Sequence, residues 1–99
     1  MFKIFKVSGN SMLPQYYNND YVISAKWIFG SLKIGDDVIC HHESLGVIIK
    51  RIKKITHNKI EVTGLNSFST NSRIIGDLDK KDIIGKVLWQ FKSQSRKNN

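Results

Sequence analysis

The sequence predicts an all-β fold of antiparallel sheets with little helix. Six short segments alternate apolar and polar residues in steps of two and are rich in β-branched and aromatic side chains. Turn-forming residues separate them at regular intervals, and no stretch repeats apolar residues at three-to-four spacing for long. The predicted strands are Lys3–Val7, Tyr21–Ala25, Asp37–His41, Val47–Ile55, Lys59–Thr63 and Ile83–Phe91. Asn18-Asn19-Asp20, Ile34-Gly35-Asp36, Ser44-Leu45-Gly46 and His57-Asn58 supply the turns. The one helical candidate is a short turn beginning at Ser11, where Pro14 falls early enough for its missing N–H to cost little.

Ninety-nine residues leave room for one domain. No repeat or linker interrupts the chain before about Ser93, so the expected domain spans residues 1–92, with 93–99 a basic polar tail. An apolar share of 40% and a charged share of 24% fit a globular protein and exclude a disordered or collagen-like one. The 16 basic residues outnumber the 8 acidic ones, for a formal charge of +8, which favours anionic partners in general terms. The run of Lys50, Arg51, Lys53, Lys54 and Lys59 is more often a solvated face than a binding site. Cys40 is the only cysteine, which rules out a disulfide within the chain and fits a reducing compartment. No apolar run nears the roughly 20 residues that cross a bilayer as a helix. Met1–Val7 alternates, unlike an export signal. The expectation is a cytoplasmic protein without a membrane anchor.

Val7-Ser8-Gly9-Asn10-Ser11-Met12-Leu13-Pro14 runs a predicted strand into two turn-permissive residues and then presents Ser11. A hydroxyl at such a corner is exposed, and unpaired N–H groups at the start of a turn suit an oxyanion. On local sequence alone, the commoner role of this serine is to cap the turn. A serine nucleophile needs a base. His41 and His42 end a strand beside Glu43 and His57 sits in a turn, contexts that read as surface. Cys40, His41 and His42 make a poor metal site, because neighbours on a strand point to opposite faces and no second ligand cluster follows.

Lysine can replace histidine if its amine is dry enough to lose its proton near neutrality. Alternate residues share a strand face, so Lys50 lies between Ile48 and Ile52, while Val47, Ile49, Arg51 and Lys53 form a mixed opposite face that can reach solvent. Burial would lower the pKa of Lys50; the alternative is a stem that snorkels its charge to water.

Together these segments resemble the Ser-Lys proteases of the type I signal-peptidase and self-cleaving SOS-repressor group. The nucleophile box is Val7 to Pro14. Lys33-Ile34-Gly35-Asp36-Asp37-Val38 resembles the Gly-Asp strand entry, and Ile49-Lys50-Arg51-Ile52 the lysine box. Gly64-Leu65-Asn66 with Ser69-Thr70-Asn71-Ser72-Arg73 and Gly76 resembles the last box, and Ile84-Gly85-Lys86-Val87 the closing strand. The resemblance implies coiled antiparallel sheets, Ser11 as nucleophile, Lys50 as general base and then acid, and Ser69 as a hydroxyl orienting the amine. Gly9, Asn10 and Met12 would border the substrate and the oxyanion. It implies a leader-bearing precursor protein as partner, bound as an added strand, and no metal or other cofactor. Among minimal members it is similar to the proteases that mature nickel superoxide dismutase by removing its leader. Leu65 and Asn71 stand where the family often has aspartate, and Gly9 where some members have an oxyanion-binding serine. Self-cleavage is not expected, because the chain has no Ala-Gly dipeptide. The rival expectation is a binding module of the same scaffold, contacting nucleic acid or acidic protein through the basic strand. It is weakened by the lack of a clear aromatic platform interleaved with the basic residues, since Trp27, Phe29, Trp89 and Phe91 suit the core at least as well.

Overall fold

The computed structural model describes residues 2–26, 32–66 and 77–93. Seven strands form within them: β1 (Phe2–Lys6), β2 (Tyr21–Ala25), β3 (Asp37–His42), β4 (Gly46–Ile55), β5 (Lys59–Thr63), β6 (Asp77–Asp79) and β7 (Ile83–Phe91). They make one antiparallel sheet in the order β1-β2-β7-β3-β4-β5-β6, so β7 returns to lie between β2 and β3. The predicted all-β class and six predicted strands are found within a residue of their expected ends. The seventh, β6, is only three residues long, too short for its alternation to mark a strand, and forms by pairing Asp77–Asp79 with Lys59–Glu61. A single 3-10 turn at Lys80–Asp82 is the one helical element among the described residues. None of their helices is long and apolar enough to cross a membrane.

Two buried clusters hold the sheet. Val38, Cys40, Ile52, Ile60, Val62, Leu78 and Ile83 form the first, entirely from side chains of β3 to β7. The second cluster takes the alternate positions Ile39 and Ile49 with Val22, and the segment between β1 and β2 covers them with Val7, Met12 and Tyr16. The mixed face expected for β4 is therefore covered at Ile49, and only Lys53 and Val47 on it are exposed.

Trp89 and Phe91 depart from the expectation of a core role, being 62% and 46% exposed. They follow a register shift between β2 and β7 at Ile23 and Ser24, where β7 carries one residue more than β2. Trp27 and Phe29 lie outside the described residues. Gly85 sits where β7 passes close to β2: a Cβ there would lie 3.0 Å from Ser24 Oγ and 3.1 Å from the Ala25 carbonyl oxygen. This close packing requires glycine.

One buried carboxylate ties the β1–β2 segment to the end of β7. Asp20, with no solvent exposure, accepts hydrogen bonds from the Tyr17 N–H at 3.0 Å, Gln90 Nε2 at 3.1 Å and the Ser93 N–H at 2.8 Å. Asp20→Ala strands these donors and should lower unfolding stability by about 2–3 kcal/mol, read as a shifted urea midpoint at unchanged slope.

Candidate active site

Ser11 stands on a segment fixed at three places. At its base the β1–β2 ladder continues, with the Val7 N–H donating to the Asp20 carbonyl at 2.7 Å and the Asn19 N–H to Val7 at 2.8 Å. Gly9 then adopts a φ of +86°, the left-handed region in which a Cβ is strained, and its N–H donates to Asn18 Oδ1 at 2.8 Å. In the core, Met12 and Tyr16 are buried at 1% and 4% exposure. On the far side, the strand leaving β5 donates from the Leu65 and Asn66 N–H groups to the Ser11 carbonyl at 2.7 and 3.0 Å, and Asn66 Nδ2 donates to Asn10 O at 3.0 Å.

The helical turn expected from Ser11 does not form. The segment makes separate turns, closed by the Leu13 N–H to Asn10 O at 3.2 Å and the Tyr16 N–H to Met12 O at 2.9 Å, around a cis Leu13–Pro14 peptide. The exposed corner expected at Gly9 and Asn10 is present. Among the described residues, no hydrogen bond draws on the N–H of Ser11 or Met12, which leaves both free to face an oxyanion. Met12 can contribute only that backbone group, because its side chain is packed in the core.

Lys50 is 3% exposed. It pairs in register with Val38, and Cys40 faces Ile48 one step along, so its face of β4 is apolar from Ile48 to Ile52. Desolvation is the largest influence on its amine and lowers its pKa; the Cys40 thiolate would act in the opposite direction. Burial, however, pushes the Cys40 thiol up to about 12, so near neutrality that thiol is uncharged. Among the described residues, Lys50 has no ion-pair partner. Both snorkelling and a compensating carboxylate are thus set aside, and burial acts against the charged form of the amine.

Ser11 and Lys50 line the same cleft, about 260 Å³ in volume. Its walls are chiefly Phe5, Val7, Val22, Ile39, Val47 and Ile49, with Ser8 at the rim. The two side chains are not hydrogen-bonded to each other among the described residues. None of the three histidines lines the cleft. His42 instead accepts from the Ser44 and Leu45 N–H groups at 3.0 and 3.1 Å, an arrangement that fixes the β3–β4 turn. Ser69, Asn71 and Arg73 lie outside the described residues.

Sequence reading missed a three-residue network next to these groups. Arg51 donates to Asp37 through Nε at 2.7 Å and Nη2 at 3.1 Å, and Tyr16 donates its hydroxyl to Asp37 Oδ2 at 2.7 Å. Burial first, then the hydrogen bond to Asp37, raises the Tyr16 pKa and keeps the phenol protonated. Asp37 and Arg51 are opposite partners in the β3–β4 register, the one signal that could have linked them from sequence. Tyr16 carries the tail of the Ser11 segment, so the network joins that segment to the residue after Lys50.

A family model described as Peptidase S24-like matches residues 2–88. No curated protein matches the chain.

Replacing Asp37 with alanine leaves a guanidinium and a phenol without their shared acceptor. Asp37→Ala should destabilise the protein by about 2 kcal/mol. Amide exchange near Ser11 should accelerate in Asp37→Ala, whereas a control at exposed Asp77 should change neither quantity.

Proposed function

The chain belongs to the Peptidase S24-like family, and from that membership we propose that it is a serine endopeptidase in which Lys50 activates Ser11. The observation that carries the reading is a desolvated amine, without a carboxylate partner among the described residues, lining the cleft that holds the candidate nucleophile. In this mechanism neutral Lys50 takes the Ser11 hydroxyl proton as Oγ attacks the scissile carbonyl. The unpaired N–H groups of Ser11 and Met12 hold the resulting oxyanion. The Lys50 ammonium then donates its proton to the departing amine, leaving an ester on Ser11. Water, deprotonated by Lys50, hydrolyses that ester. Ser69 is assigned the role of orienting the amine, by its place in the family pattern.

An extended peptide would enter beside the Gly9–Ser11 segment, and apolar side chains small enough for the cleft would sit against Phe5, Val22 and Ile39. The substrate proposed is a precursor carrying an N-terminal leader, specifically that of a nickel superoxide dismutase, whose freed terminal amine then becomes available to metal. Nucleic acid has less support as a partner. Arg51, Lys53 and Lys59 of the basic stretch are answered by Asp37, Glu61 and Asp79 at 2.7, 3.4 and 2.7 Å.

Incubating the protein with the precursor and reading the new N-terminus by mass spectrometry tests the substrate; a generic extended peptide library tests the chemistry separately. Ser11→Ala and Lys50→Met should each lower the rate by roughly a thousandfold or more while the fold persists. Cleavage that survives Lys50→Met would sink the mechanism.

The pH dependence has a definite sign. A lysine whose folded pKa is depressed binds fewer protons when folded than when unfolded, between that lowered value and about 10.4. Stability from this group therefore rises with pH across that window and is lost below it. Cleavage should rise over the lower part of the same window, as the neutral amine accumulates. Lys50→Met should be more stable than the native protein, on the order of 1 kcal/mol near neutrality, with the gain vanishing at high pH in denaturant titrations.

A further inference from the structure

A second pocket opens on the same face of β1 and β2 as the cleft. Residues paired across antiparallel strands share a face, and so do residues two apart on one strand. Phe5 with Val22 lines the cleft, and the next row, Lys3 with Ser24, lines a separate depression of about 390 Å³. Lys26, directly after β2, Lys81 of the 3-10 turn, and Ile83 and Ile84 of β7 complete its walls. Neither Ser11 nor Lys50 is among them.

Two independent observations point to an anion here. The first is charge. Three lysines from separate elements border one space, and no aspartate or glutamate lines it. Among the described residues none of the three has an ion-pair partner. Asp79 feels Lys81 at longer range but is held by Lys59 at 2.7 Å. Like charges around a shared space repel, and an anion between them replaces that repulsion with attraction. The second observation is Ser24, which is 1% exposed and whose hydroxyl has no hydrogen-bond partner among the described residues. Every fully enclosed side-chain oxygen or nitrogen among them has a partner, so this hydroxyl keeps some accessible surface, and the face it shares with Lys3 gives onto the pocket. Gly85 leaves it uncovered, since a Cβ at that position would lie 3.0 Å from Ser24 Oγ. The hydroxyl therefore has a hydrogen bond to give to a ligand that the lysines attract.

We propose that this pocket binds a small soluble ligand through a diphosphate group. Ammonium groups hold phosphates as point charges, and three of them exceed what a single carboxylate balances. The volume falls in the usual range of small-molecule sites, roughly 300–1,000 Å³, and Ile83 and Ile84 offer an apolar wall to the part of the ligand that carries the phosphates. A polynucleotide fits less well, because the lysines converge on one pocket instead of tracking a groove. The site does not depend on peptidase activity.

Titration of the full chain with inorganic pyrophosphate, without divalent cations and at constant ionic strength, tests it. In amide NMR spectra the perturbed signals should cluster at Lys3, Ser24, Lys26 and Lys81 and spare Ser11 and Lys50. Calorimetry should show saturable binding, with acetate far weaker. Ser24→Ala should weaken binding by about threefold to tenfold, and Lys3→Gln with Lys81→Gln by about tenfold or more. Lys53→Gln with Lys59→Gln removes the same charge elsewhere and should bind as the native protein does, as should Ser11→Ala. Ligand-free thermal melts check that each variant folds, and the pattern of perturbed amides in the native protein decides the matter where one does not. Perturbations scattered over the basic surface, no saturation at millimolar pyrophosphate, or acetate binding equally well overturns the proposal. So does an equal loss of affinity in the Lys53/Lys59 pair, or unchanged affinity in Ser24→Ala or in the Lys3/Lys81 pair.

Discussion

The central constraint is the placement of two adjacent cations on opposite sides of one strand. The two-residue period of β4 sends Lys50 to an apolar face with Ile48 and Ile52, and Arg51 to the face that holds Asp37. The register decides which cation meets the carboxylate, since Asp37 lies opposite Arg51 and Val38 opposite Lys50. A slip of one residue would bring Asp37 across from Lys50 and turn the strand's apolar set over. The amine would then gain a counter-ion, its pKa would be held up, and the desolvation that favours its neutral form would be opposed. The Arg51–Asp37 pair therefore acts on Lys50 without touching it, by making the alternative register unfavourable.

The same carboxylate reaches the nucleophile segment. Tyr16 ends that segment in the core and spends its hydroxyl on Asp37, so the strand entry that sets the register also holds the loop carrying Ser11. The opposite side of the loop is held by backbone donors from Leu65 and Asn66, which leave β5 just after Thr63, the partner of Arg51. Both restraints thus originate one residue from Lys50 in the sheet. A loop without regular structure is kept in place by groups whose positions depend on the strand that bears the amine, which is how a small domain can support a site with a modest core.

Most of the strands were legible because their pattern is local: β-branched residues at every second position and glycine or asparagine between runs. Gly9 could be read as the start of a corner, and Lys50 as lying on an isoleucine face, from the same local signals. The missing pieces depend on contacts distant in sequence. β6 has aspartate at both ends and becomes a strand only by pairing with β5. The bond between Tyr16 and Asp37 spans 21 positions and follows no spacing rule. The burial of Ile49 needed the knowledge that the β1–β2 segment folds over it. Trp89 and Phe91 looked like core residues on residue type alone, a weak guide for rings on an edge region of a sheet with a bulge. The membership drawn from the order of five boxes agrees with the family match over residues 2–88.

The basic composition gains a different meaning from this arrangement. A strong positive charge first suggests an anionic partner, yet its more direct consequence lies in what the few carboxylates do. Asp20 serves buried backbone and amide donors, Asp36 faces Lys86, Asp37 holds Arg51 and Tyr16, Glu61 faces Lys53, Asp79 faces Lys59, and Asp82 accepts from the Asp79 N–H at 3.0 Å. Six of the 8 acidic side chains thus have named roles, and none of those roles is to neutralise Lys50. A carboxylate within about 6 Å of the amine would favour the ammonium and oppose the desolvation. Acidic residues are consequently tolerable where a structural cation or donor already claims them, and costly to the proposed chemistry on the walls of the cleft. Those walls are built from aliphatic and aromatic residues with Ser8, Ser11 and Lys6, and the desolvation they impose lowers the pKa of Lys50.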